Sequence, residues 1–433
     1  MKFDEKFDID KFYKKYLKGP KIFKNRDALD PSYIPKELPH RDNEIQAIAE
    51  KTACALKVSS PPSFLCHGRT GTGKTATVRY VSQKLEEHCA SSGKNKPWWV
   101  YINCNIVSTP YRILAHIFNT IVKEEQIPPT GLPKDVIFKK LLGLLDEKIK
   151  ICFLVLDEID ILLEKNGGNE ILYDLTRINE NLESCRCSII GISNALNLKD
   201  SLDPRVKSSL GNEEPVVFNP YNANQLSNIL KKRAKVAFQE GVIKQGVIKL
   251  CAGLAAQENG DARKALQLLR KAGELAERAQ NKRITEKHIT DAQTNLEEGH
   301  IIEYIKGLPL QAQIILTAIY LIIKNEPKIM VKSGDVYEVH SELCNQIPNV
   351  TGLTKRQKSN YITELDTAGI ISTKLHSLGY YGRTKIIKID IDLELLERVL
   401  KQIDKVKDIL EYKPVLLQSD KVKIKNNIFR KLM

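Results

Sequence analysis

Eight consecutive residues near the start of the chain have the types and spacing needed to hold phosphate groups. They fit the pattern G-x-x-x-x-G-K-[ST] of a phosphate-binding loop and read Gly68-Arg69-Thr70-Gly71-Thr72-Gly73-Lys74-Thr75. Glycines let the backbone turn its N–H groups inward around phosphate oxygens. Lys74 can then reach the β- and γ-phosphates, and the Thr75 hydroxyl can ligate Mg²⁺. The pattern predicts a site for a nucleoside triphosphate with magnesium.

The segments beside this loop agree with that prediction. Residues 63–67 form a short, mostly apolar run that indicates a buried strand, and residues 75–89 have the apolar spacing of a helix. Strand, glycine loop and helix are the context that the motif requires, and a loop before a helix places phosphate at the positive end of that helix. A chance match on a surface loop is the alternative, and both flanks argue against it.

Polar side chains also follow two later apolar strands. Asp157 and Glu158 come directly after residues 151–156, and Asn194 follows residues 187–192. Because ligands bind at the carboxyl ends of parallel strands, Asp157 is predicted to hold magnesium and Glu158 to orient and deprotonate the attacking water. Asn194 is a candidate sensor of the γ-phosphate. Each could instead belong to a plain solvated turn.

Two arginines complete the candidate nucleotide site. Arg205 stands at a predicted helix start, where its charge opposes the helix dipole, so we expect it to serve an external anion on a neighbouring subunit. Arg263 opens a later helix and could fold back over the γ-phosphate. The alternatives are a surface arginine paired with Asp203 and an ordinary helix-surface arginine. We also assign Tyr221 to the nucleotide site.

The C-terminal block has the pattern of a winged helix. Residues 339–346 and 354–368 are predicted helices, and residues 369–374 and 383–388 are predicted strands joined by a turn. Between residues 351 and 385 there are six basic side chains against two acidic ones. We predict that DNA is contacted by the second helix and the wing, through Lys355, Arg356, Gln357, Asn360, Arg383 and Lys385. Protein contact or a merely solvated basic face is the alternative reading.

These residues require an α/β fold followed by two smaller parts. Apolar strands alternate with helices from residue 61 to 218, which favours a parallel sheet covered on both faces. Residues 222–298 are helical throughout and are interpreted as a lid. The predicted divisions are a basic N-terminal arm with little core (1–39), a nucleotide-binding domain (40–220), a helical lid (221–299), a winged helix (300–400) and a basic tail (401–433).

Composition limits the remaining possibilities. The 433 residues carry a formal net charge of +14, which favours a polyanionic partner. The nine cysteines lack the C-x-x-C pairs and histidine spacing of a zinc site. Without an apolar run long enough to span a bilayer, and with a first stretch unlike a signal peptide, we expect no membrane partner and a cytoplasmic, DNA-associated location.

The whole set of motifs resembles the AAA+ ATPases. The sequence His40-Arg-Asp-Asn-Glu44, an extra helix at residues 109–125 and the C-terminal block are more narrowly similar to archaeal replication initiators related to the eukaryotic origin recognition complex. The resemblance implies an ATP/ADP-switched protein with Mg²⁺ that binds double-stranded origin DNA. It also implies partners, namely other initiator subunits and the replicative helicase.

The resemblance also implies roles for single residues. Lys74 and Thr75 correspond to the Walker A ligands, Asp157 and Glu158 to Walker B, and Asn194 to the first sensor. Arg205 corresponds to the arginine finger and Arg263 to the second sensor. The extra helix, with Arg112, is implied to touch DNA, although its apolar residues fit packing against the domain equally well.

The sequence therefore predicts an initiator in which slow ATP hydrolysis acts as a switch. Two other functions stay open at this stage. One is a clamp-loader-like motor, whose main output is ATP turnover. The other is a transcription regulator that binds DNA and keeps its nucleotide for structure alone.

Overall fold

The computed structural model describes residues 21–57, 59–124, 126–128, 130–195, 198–210, 213–327, 329–377 and 383–415. Residues 1–20 of the predicted arm, the turn at 378–382 and the basic tail from residue 416 lie outside the described residues. The chain divides into two compact units, Met1–Ala292 and Gln293–Met433.

A five-stranded sheet forms the centre of the first unit. All four neighbouring pairs are parallel, and the order across the sheet is β2-β3-β4-β1-β5. The carboxyl ends of its central strands therefore meet at one edge. The predicted α/β class is confirmed, with each strand within two residues of its expected limits. The strands are β1 (Phe64–Gly68), β2 (Trp98–Asn103), β3 (Ile151–Asp157), β4 (Arg186–Ser193) and β5 (Val216–Phe218).

Helices cover both faces of this sheet. Successive side chains of a strand point to opposite faces, and in β3 Leu154 and Leu156 join one core while Phe153 and Val155 join the other. Burial on both faces explains why β3 is a continuous apolar run without alternation. The described helices of this part are α1 (Asp42–Thr52), α2 (Lys74–Ser91), α3 (Pro110–Ile121), α4 (Lys134–Lys148), α5 (Ile159–Leu163), α6 (Gly168–Thr176), α7 (Leu198–Ser201) and α8 (Pro204–Leu210).

The predicted lid consists of three further helices and the start of a fourth. They are α9 (Ala223–Ala237), α10 (Val247–Gln257), α11 (Ala262–Arg278) and α12 (Glu286–Gly307), whose last residues belong to the second unit. Asn222 caps α9 in a capping box with Gln225, and Asp261 caps α11 by accepting hydrogen bonds from the next two free N–H groups. Both helices therefore begin where their capping side chains require.

The N-terminal arm differs from the prediction. We expected little core from it, but Ile22, Phe23 and Leu29 are buried, and the Phe23 ring lies 4.9 Å from that of Phe238. The Lys24 N–H donates to the Ala237 carbonyl at 2.8 Å. Lysines and prolines dominate the composition of this stretch and mask the few apolar residues. Its described part is thus a component of the lid.

The second unit has the predicted winged-helix pattern with two additions, a short strand and a short last helix. The predicted tail therefore does not begin at residue 401, because Val406, Ile409 and Leu410 are buried in the core of this unit. The elements of the unit are α13 (Leu310–Asn325), β6 (Val331–Lys332), α14 (Ser333–Gln346), α15 (Lys355–Thr367), β7 (Ile371–Ser377), β8 (Arg383–Ile389), α16 (Leu393–Leu400) and α17 (Asp404–Lys407). The strands form an antiparallel sheet in the order β6-β8-β7. The two-residue β6 was not predicted because it is too short to show a pattern.

Helix α14 also begins earlier than predicted. It starts at Ser333, and an Asp335 carboxylate oxygen accepts the Lys332 N–H at 3.2 Å. Gly334 weakens the helical signal of this first turn, but the cap compensates. At the centre of the unit, α13 is buried along almost its whole length.

The described residues contain no single helix that is long and apolar enough to cross a membrane. By length and composition alone, the bent pair formed by α12 and α13 meets that test together. The share of α13 that is buried in the winged-helix core matches the apolar core helix of a folded domain.

His340 is fully buried in the second unit, and its Nε2 lies 2.9 Å from the Gln311 side-chain oxygen. Burial, aided by the nearby charge of Lys358, lowers the pKa of His340 to about 4. Because the unfolded chain keeps a His pKa of about 6.5, it takes up the proton first as the pH falls. The part of the unfolding free energy that depends on a neutral His340 is therefore fully present above about pH 6.5. It is lost as the pH falls from about 6.5 to about 4.

We predict that His340→Gln removes an acid sensitivity of about 2 kcal/mol between pH 7.5 and pH 5. The measurement is urea unfolding of the wild type and the variant at both pH values, with the variant's fold checked at pH 7.5. An equal loss of stability in both proteins on acidification would contradict the prediction.

Candidate nucleotide and nucleic-acid sites

The phosphate-binding loop joins the end of β1 to the start of α2. Gly71 and Gly73 adopt positive φ angles of 71° and 90°, a region that favours glycine. A Cβ at Gly71 would also lie 1.7 Å from a carboxylate oxygen of Asp261. The loop conformation and the close approach of the lid both require glycine at this position.

Lys74 is nearly buried at the first turn of α2. Its ammonium donates to the carbonyls of Gly68 (2.8 Å) and Arg69 (2.9 Å) and to the side-chain oxygen of Asn194 (2.9 Å). Burial lowers the pKa of Lys74 to about 8, although the Asp157 carboxylate opposes this shift. The structure thus brings Lys74 and Asn194, two predicted site residues from distant parts of the chain, into direct contact.

Oxygen atoms suited to magnesium meet beside the loop. The Thr75 hydroxyl donates to an Asp157 carboxylate oxygen at 2.8 Å, and the other oxygen of Asp157 accepts the Glu158 N–H at 3.1 Å. The residues that the structure describes include no group of three His, Cys, Asp or Glu side chains arranged for a metal ion. Two hard oxygen ligands fit Mg²⁺, which takes its remaining ligands from phosphates and water.

Glu158 has two unusual features. It is a non-glycine residue in the left-handed region, with φ 57° and ψ 44°, a conformation that costs about 1–3 kcal/mol. One of its carboxylate oxygens is buried and has no hydrogen-bond partner among the described residues. A buried acceptor without a donor beside Asp157 is a suitable receiver for a proton from water.

Asn194 follows the end of β4, which pairs with β3, as expected for a sensor beside the magnesium strand. Its backbone N–H donates to an Asp160 carboxylate oxygen at 3.2 Å. Since Asn194 also contacts Lys74, the Asp160 carboxylate fixes the position of this contact. Asp160 lies two residues after Glu158, and we did not select it from the sequence.

The lid touches the phosphate loop directly. The Ala262 N–H donates to the Gly71 carbonyl at 3.1 Å. Arg263 is exposed and lines a cleft of about 970 Å³ together with Gly71, Thr75 and Tyr221. The fold therefore brings Arg263 and Tyr221 to the predicted nucleotide site.

Arg41 is the main residue that sequence reasoning missed. Its buried guanidinium donates to the Thr72 carbonyl (3.0 Å), the Tyr221 hydroxyl (2.8 Å) and the Asn219 carbonyl (2.7 Å), and it pairs with Glu44 at 2.7 Å. It also lies 3.9 Å from the centre of the Tyr221 ring. In the sequence it appears only as a member of the motif His40–Glu44, without an assigned role, and it stands at the N-cap of α1, where a capping side chain is usual.

Residues 31–39 also line the cleft, beside Ile229 and Val236 of α9. We had assigned this stretch to the N-terminal arm, because its prolines predict an extended chain and nothing in its sequence indicates a site. The cleft therefore has a wall that is mainly apolar and rich in proline. Such a wall suits the flat base of a nucleotide.

Arg205 lies apart from this cleft. It begins α8 and pairs with Asp203 through two bonds of 3.1 Å, and its guanidinium lies 4.8 Å from the centre of the Tyr173 ring. Its side chain is 66% exposed, which fits both a surface ion pair and an approach to another subunit. Its role in trans stays a prediction.

In the second unit, the predicted DNA-contacting side chains of α15 are exposed. Lys355, Arg356, Gln357 and Asn360 occupy its first two turns, although the Gln357 side chain also closes a capping box with Thr354. Lys385 of β8 donates to the Thr363 hydroxyl at 2.9 Å, so the wing strand contacts α15. Arg383 begins β8, and its side chain lies outside the described part of the chain.

Lys358, one of the six basic side chains counted between residues 351 and 385, does not face outward. It is buried, and its ammonium donates to the Tyr337 carbonyl (2.9 Å) and the Ser341 hydroxyl (2.7 Å) of α14. A lysine on the inner side of the helix can still satisfy its charge in this way. Lys358 therefore connects the two helices and is not part of the exposed basic face.

Helix α3, the extra helix, packs its apolar face into the core and leaves Arg112 exposed. Ile113, Ile117 and Ile121 are buried. The packing reading of this helix is correct for these three residues. A DNA contact through Arg112 stays a prediction.

We predict that Arg41→Ala weakens ADP and ATP binding at least tenfold, because it removes the group that holds both Tyr221 and the carbonyl of Thr72. A tenfold loss corresponds to about 1.4 kcal/mol, less than the usual cost of breaking a buried ion pair. Titration of a fluorescent nucleotide measures the effect. Lys232→Ala, on an exposed residue of the same cleft, is the matched control; equal losses in both variants would contradict the role of Arg41.

Comparison with known proteins supports the architecture. Three family models match: an AAA domain over residues 58–198, a Cdc6 AAA+ ATPase-type lid domain over 227–294, and the CDC6 C-terminal winged helix domain over 303–399. The predicted order of nucleotide domain, lid and winged helix is the order of these models.

Individual relatives extend over most of the chain. An ORC1-type DNA replication protein of Pyrococcus abyssi is 48% identical over 390 residues, covering 89% of this chain and 92% of the relative. ORC1-type DNA replication protein 1 of Methanosarcina mazei is 41% identical over 410 residues, covering 94% and 96%. The solved structure of the Aeropyrum pernix ORC1 protein in complex with DNA matches with a TM-score of 0.75 and 39% identity, covering 90% of this chain and 99% of that one.

These matches confirm the resemblance seen in the sequence motifs. The sequence identities are 39–48%, and the matches cover about nine tenths or more of both this chain and each relative. The chain belongs to the family of ORC1-type DNA replication proteins.

Proposed function

We propose that this chain is an ATP-switched replication initiator that binds double-stranded origin DNA through its winged helix. The observation that carries the proposal is the contact of the lid with the phosphate loop, from the Ala262 N–H to the Gly71 carbonyl at 3.1 Å. Arg263 follows at once and lines the same cleft. A γ-phosphate gives this lid arginine a charged partner that ADP lacks, so the lid angle follows the nucleotide.

Slow hydrolysis resets this switch. Glu158 accepts a proton as the water oxygen bonds to the γ-phosphorus and the bond from that phosphorus to the β–γ bridging oxygen breaks, which releases ADP and phosphate. Lys74 and Asn194 hold the γ-phosphate in line. Thr75 and Asp157 would hold Mg²⁺, which neutralises phosphate charge when it is bound. Arg205 acts on the nucleotide of another initiator subunit, so hydrolysis is slow until subunits assemble.

DNA is contacted from the exposed side of α15 and from the wing in this proposal. Lys355, Arg356, Gln357 and Asn360 address the major groove, and Arg383 and Lys385 address the minor groove. Arg112 of α3 adds a phosphate contact. The similar Aeropyrum ORC1 protein was solved in complex with DNA, which supports DNA binding by this chain.

The output of the switch is recruitment of the replicative helicase to chromosomal DNA in the cytoplasm. The proposed domain limits keep the sequence-based divisions at residues 221 and 300. The described part of the arm is grouped with the lid, and Val406, Ile409 and Leu410 are grouped with the winged helix. A protein that hydrolyses ATP rapidly on any duplex would instead be a clamp-loader-like motor. If the protein binds promoters and Glu158→Gln leaves all of its activities unchanged, it would instead be a transcription regulator.

We predict that Arg356→Ala with Arg383→Ala lowers affinity for an origin-like duplex by roughly ten- to hundredfold and reduces the salt slope of log Kd by about two. Titrations at several salt concentrations, on origin-like and random duplexes, measure both. Arg398→Ala with Lys405→Ala removes the same charge outside α15 and the wing and is the control. Unchanged affinity and slope in the first variant would refute the assigned DNA surface.

Glu158→Gln should retain ATP binding and lower the rate of hydrolysis by at least about 10²-fold, because the amide cannot accept the proton from water. Retained ATP should keep the protein in its DNA-engaging form. Rapid-quench hydrolysis and DNA footprints recorded with ATP and with ADP provide the comparison, with Lys74→Ala as the variant that loses the switch itself. The same footprint with both nucleotides in the wild type would be the contrary outcome.

A further inference from the structure

One tyrosine holds two arginines on a surface outside the nucleotide cleft. The guanidinium of Arg177 lies 5.0 Å from the centre of the Tyr173 ring, and that of Arg205 lies 4.8 Å from the same centre. Tyr173 is in the middle of α6, Arg177 follows the last residue of that helix, and Arg205 opens α8. Arginines from two different parts of the chain thus contact the same aromatic ring.

The ring is a rigid platform for both groups. Tyr173 is half-buried and packs against the larger core of the nucleotide unit. An aromatic face attracts a guanidinium without using its N–H donors, because the attraction comes from the charge distribution of the ring. The contact with the ring therefore positions both arginines without using the N–H donors of either guanidinium.

The N–H groups of the Arg177 guanidinium are available to an external acceptor. Its side chain is 50% exposed and approaches Glu180 only to 3.6 Å, beyond a normal hydrogen bond. No hydrogen bond from its guanidinium to any described residue was found. Arg205 is paired with Asp203 through two bonds of 3.1 Å, and its own side chain is 66% exposed. An incoming anion can therefore reach both guanidinium groups from solvent, although at Arg205 it competes with Asp203.

The chemistry of the pair selects phosphate. Planar guanidinium groups bind phosphate and carboxylate oxygens in a forked geometry, so each of these two arginines suits a group with several charged oxygens. None of Tyr173, Arg177 and Arg205 lines the cleft of its own chain. The two arginines are therefore not placed to act on a nucleotide bound in that cleft.

We propose that Arg177 is a second phosphate-binding arginine that acts, with Arg205, on the nucleotide of a neighbouring copy of this chain. Tyr173 is the positioning residue that holds both arginines. This inference rests on the proposed function, because it needs a hydrolysing site in the neighbour. It adds a residue and a platform to the surface from which Arg205 acts.

The first test measures ATP hydrolysis at rising protein concentration in the presence of an origin-like duplex. Arg177→Ala should lower kcat at high protein concentration by about tenfold or more, within the range known for arginines supplied in trans. Arg177→Lys should restore only part of the rate, because an ammonium lacks the fork. Arg278→Ala, an exposed arginine of α11, removes the same charge and should leave the rate unchanged.

Tyr173 is tested by changing its ring. Tyr173→Phe keeps the aromatic face and should retain the concentration-dependent rate, whereas Tyr173→Leu should lower it. Circular dichroism and thermal unfolding of both variants show whether the fold is intact. Equal rates in the Phe and Leu variants would overturn the platform role.

The second test mixes two inactive proteins. Glu158→Gln keeps its arginines and lacks a proton acceptor, while Arg177→Ala keeps its site and lacks the proposed arginine. A mixture should hydrolyse ATP faster than either protein alone, since the Arg177→Ala site can meet the intact arginine of the other copy. Arg205→Ala mixed with Glu158→Gln is the parallel experiment.

The outcomes separate the two proposals. Recovery with Arg205→Ala but not with Arg177→Ala would leave the proposed function standing and overturn the role of Arg177. No recovery in either mixture, with a wild-type rate independent of protein concentration, would overturn the action in trans altogether. If Arg177→Ala lowers only DNA affinity and its salt slope, the arginine contacts DNA and the inference is wrong.

Discussion

The nucleotide unit depends on one buried positive charge, the guanidinium of Arg41. It joins the carbonyl of Thr72 in the phosphate loop, the carbonyl of Asn219 after the last strand and the hydroxyl of Tyr221 before the lid. Glu44 balances the charge from within the same helix. Removing one partner of such a buried pair typically costs about 3–5 kcal/mol. This one side chain therefore connects the end of the sheet, the phosphate loop and the segment that leads into the lid.

The lid is connected to the phosphate loop by close contacts that leave no room for a larger side chain at Gly71. Asp261 caps α11 and at the same time lies against Gly71, where a Cβ would clash with its carboxylate. Because packed contacts have discrete arrangements, a small change at the phosphates can move a whole helix. Arg263 lies in the first turn of that helix and lines the cleft beside the phosphate loop, so its charge acts close to the phosphates.

The sequence predicted the elements that depend on local pattern. Strand β3 was visible because burial on both faces produces an unbroken apolar run, and α2 because a glycine loop precedes apolar residues at helical spacing. Lys74 and Asn194 could be expected near each other, since strands that follow one another in α/β units end at the same edge. Their direct contact could not, because it depends on side-chain rotamers.

The features missed are those set by tertiary contact. Arg41 and Lys358 are charged residues that are normally exposed, and only their partners across the fold make burial tolerable. The buried residues at the N-terminus were missed for a related reason. Three apolar side chains among lysines and prolines have no periodicity, and their value depends on helices that come much later in the chain.

The distance along the chain between this N-terminal segment and its partners limits when the segment can dock during synthesis. Arg26 pairs with Glu277, 251 positions further on, and Phe23 packs on Phe238. During synthesis the early segment leaves the ribosome well before its docking helices exist, while the β1–β4 core can assemble from chain already made. Contacts of such long sequence separation form slowly. The segment with Phe23 and Arg26 can therefore dock only after α9 and α11 have been made.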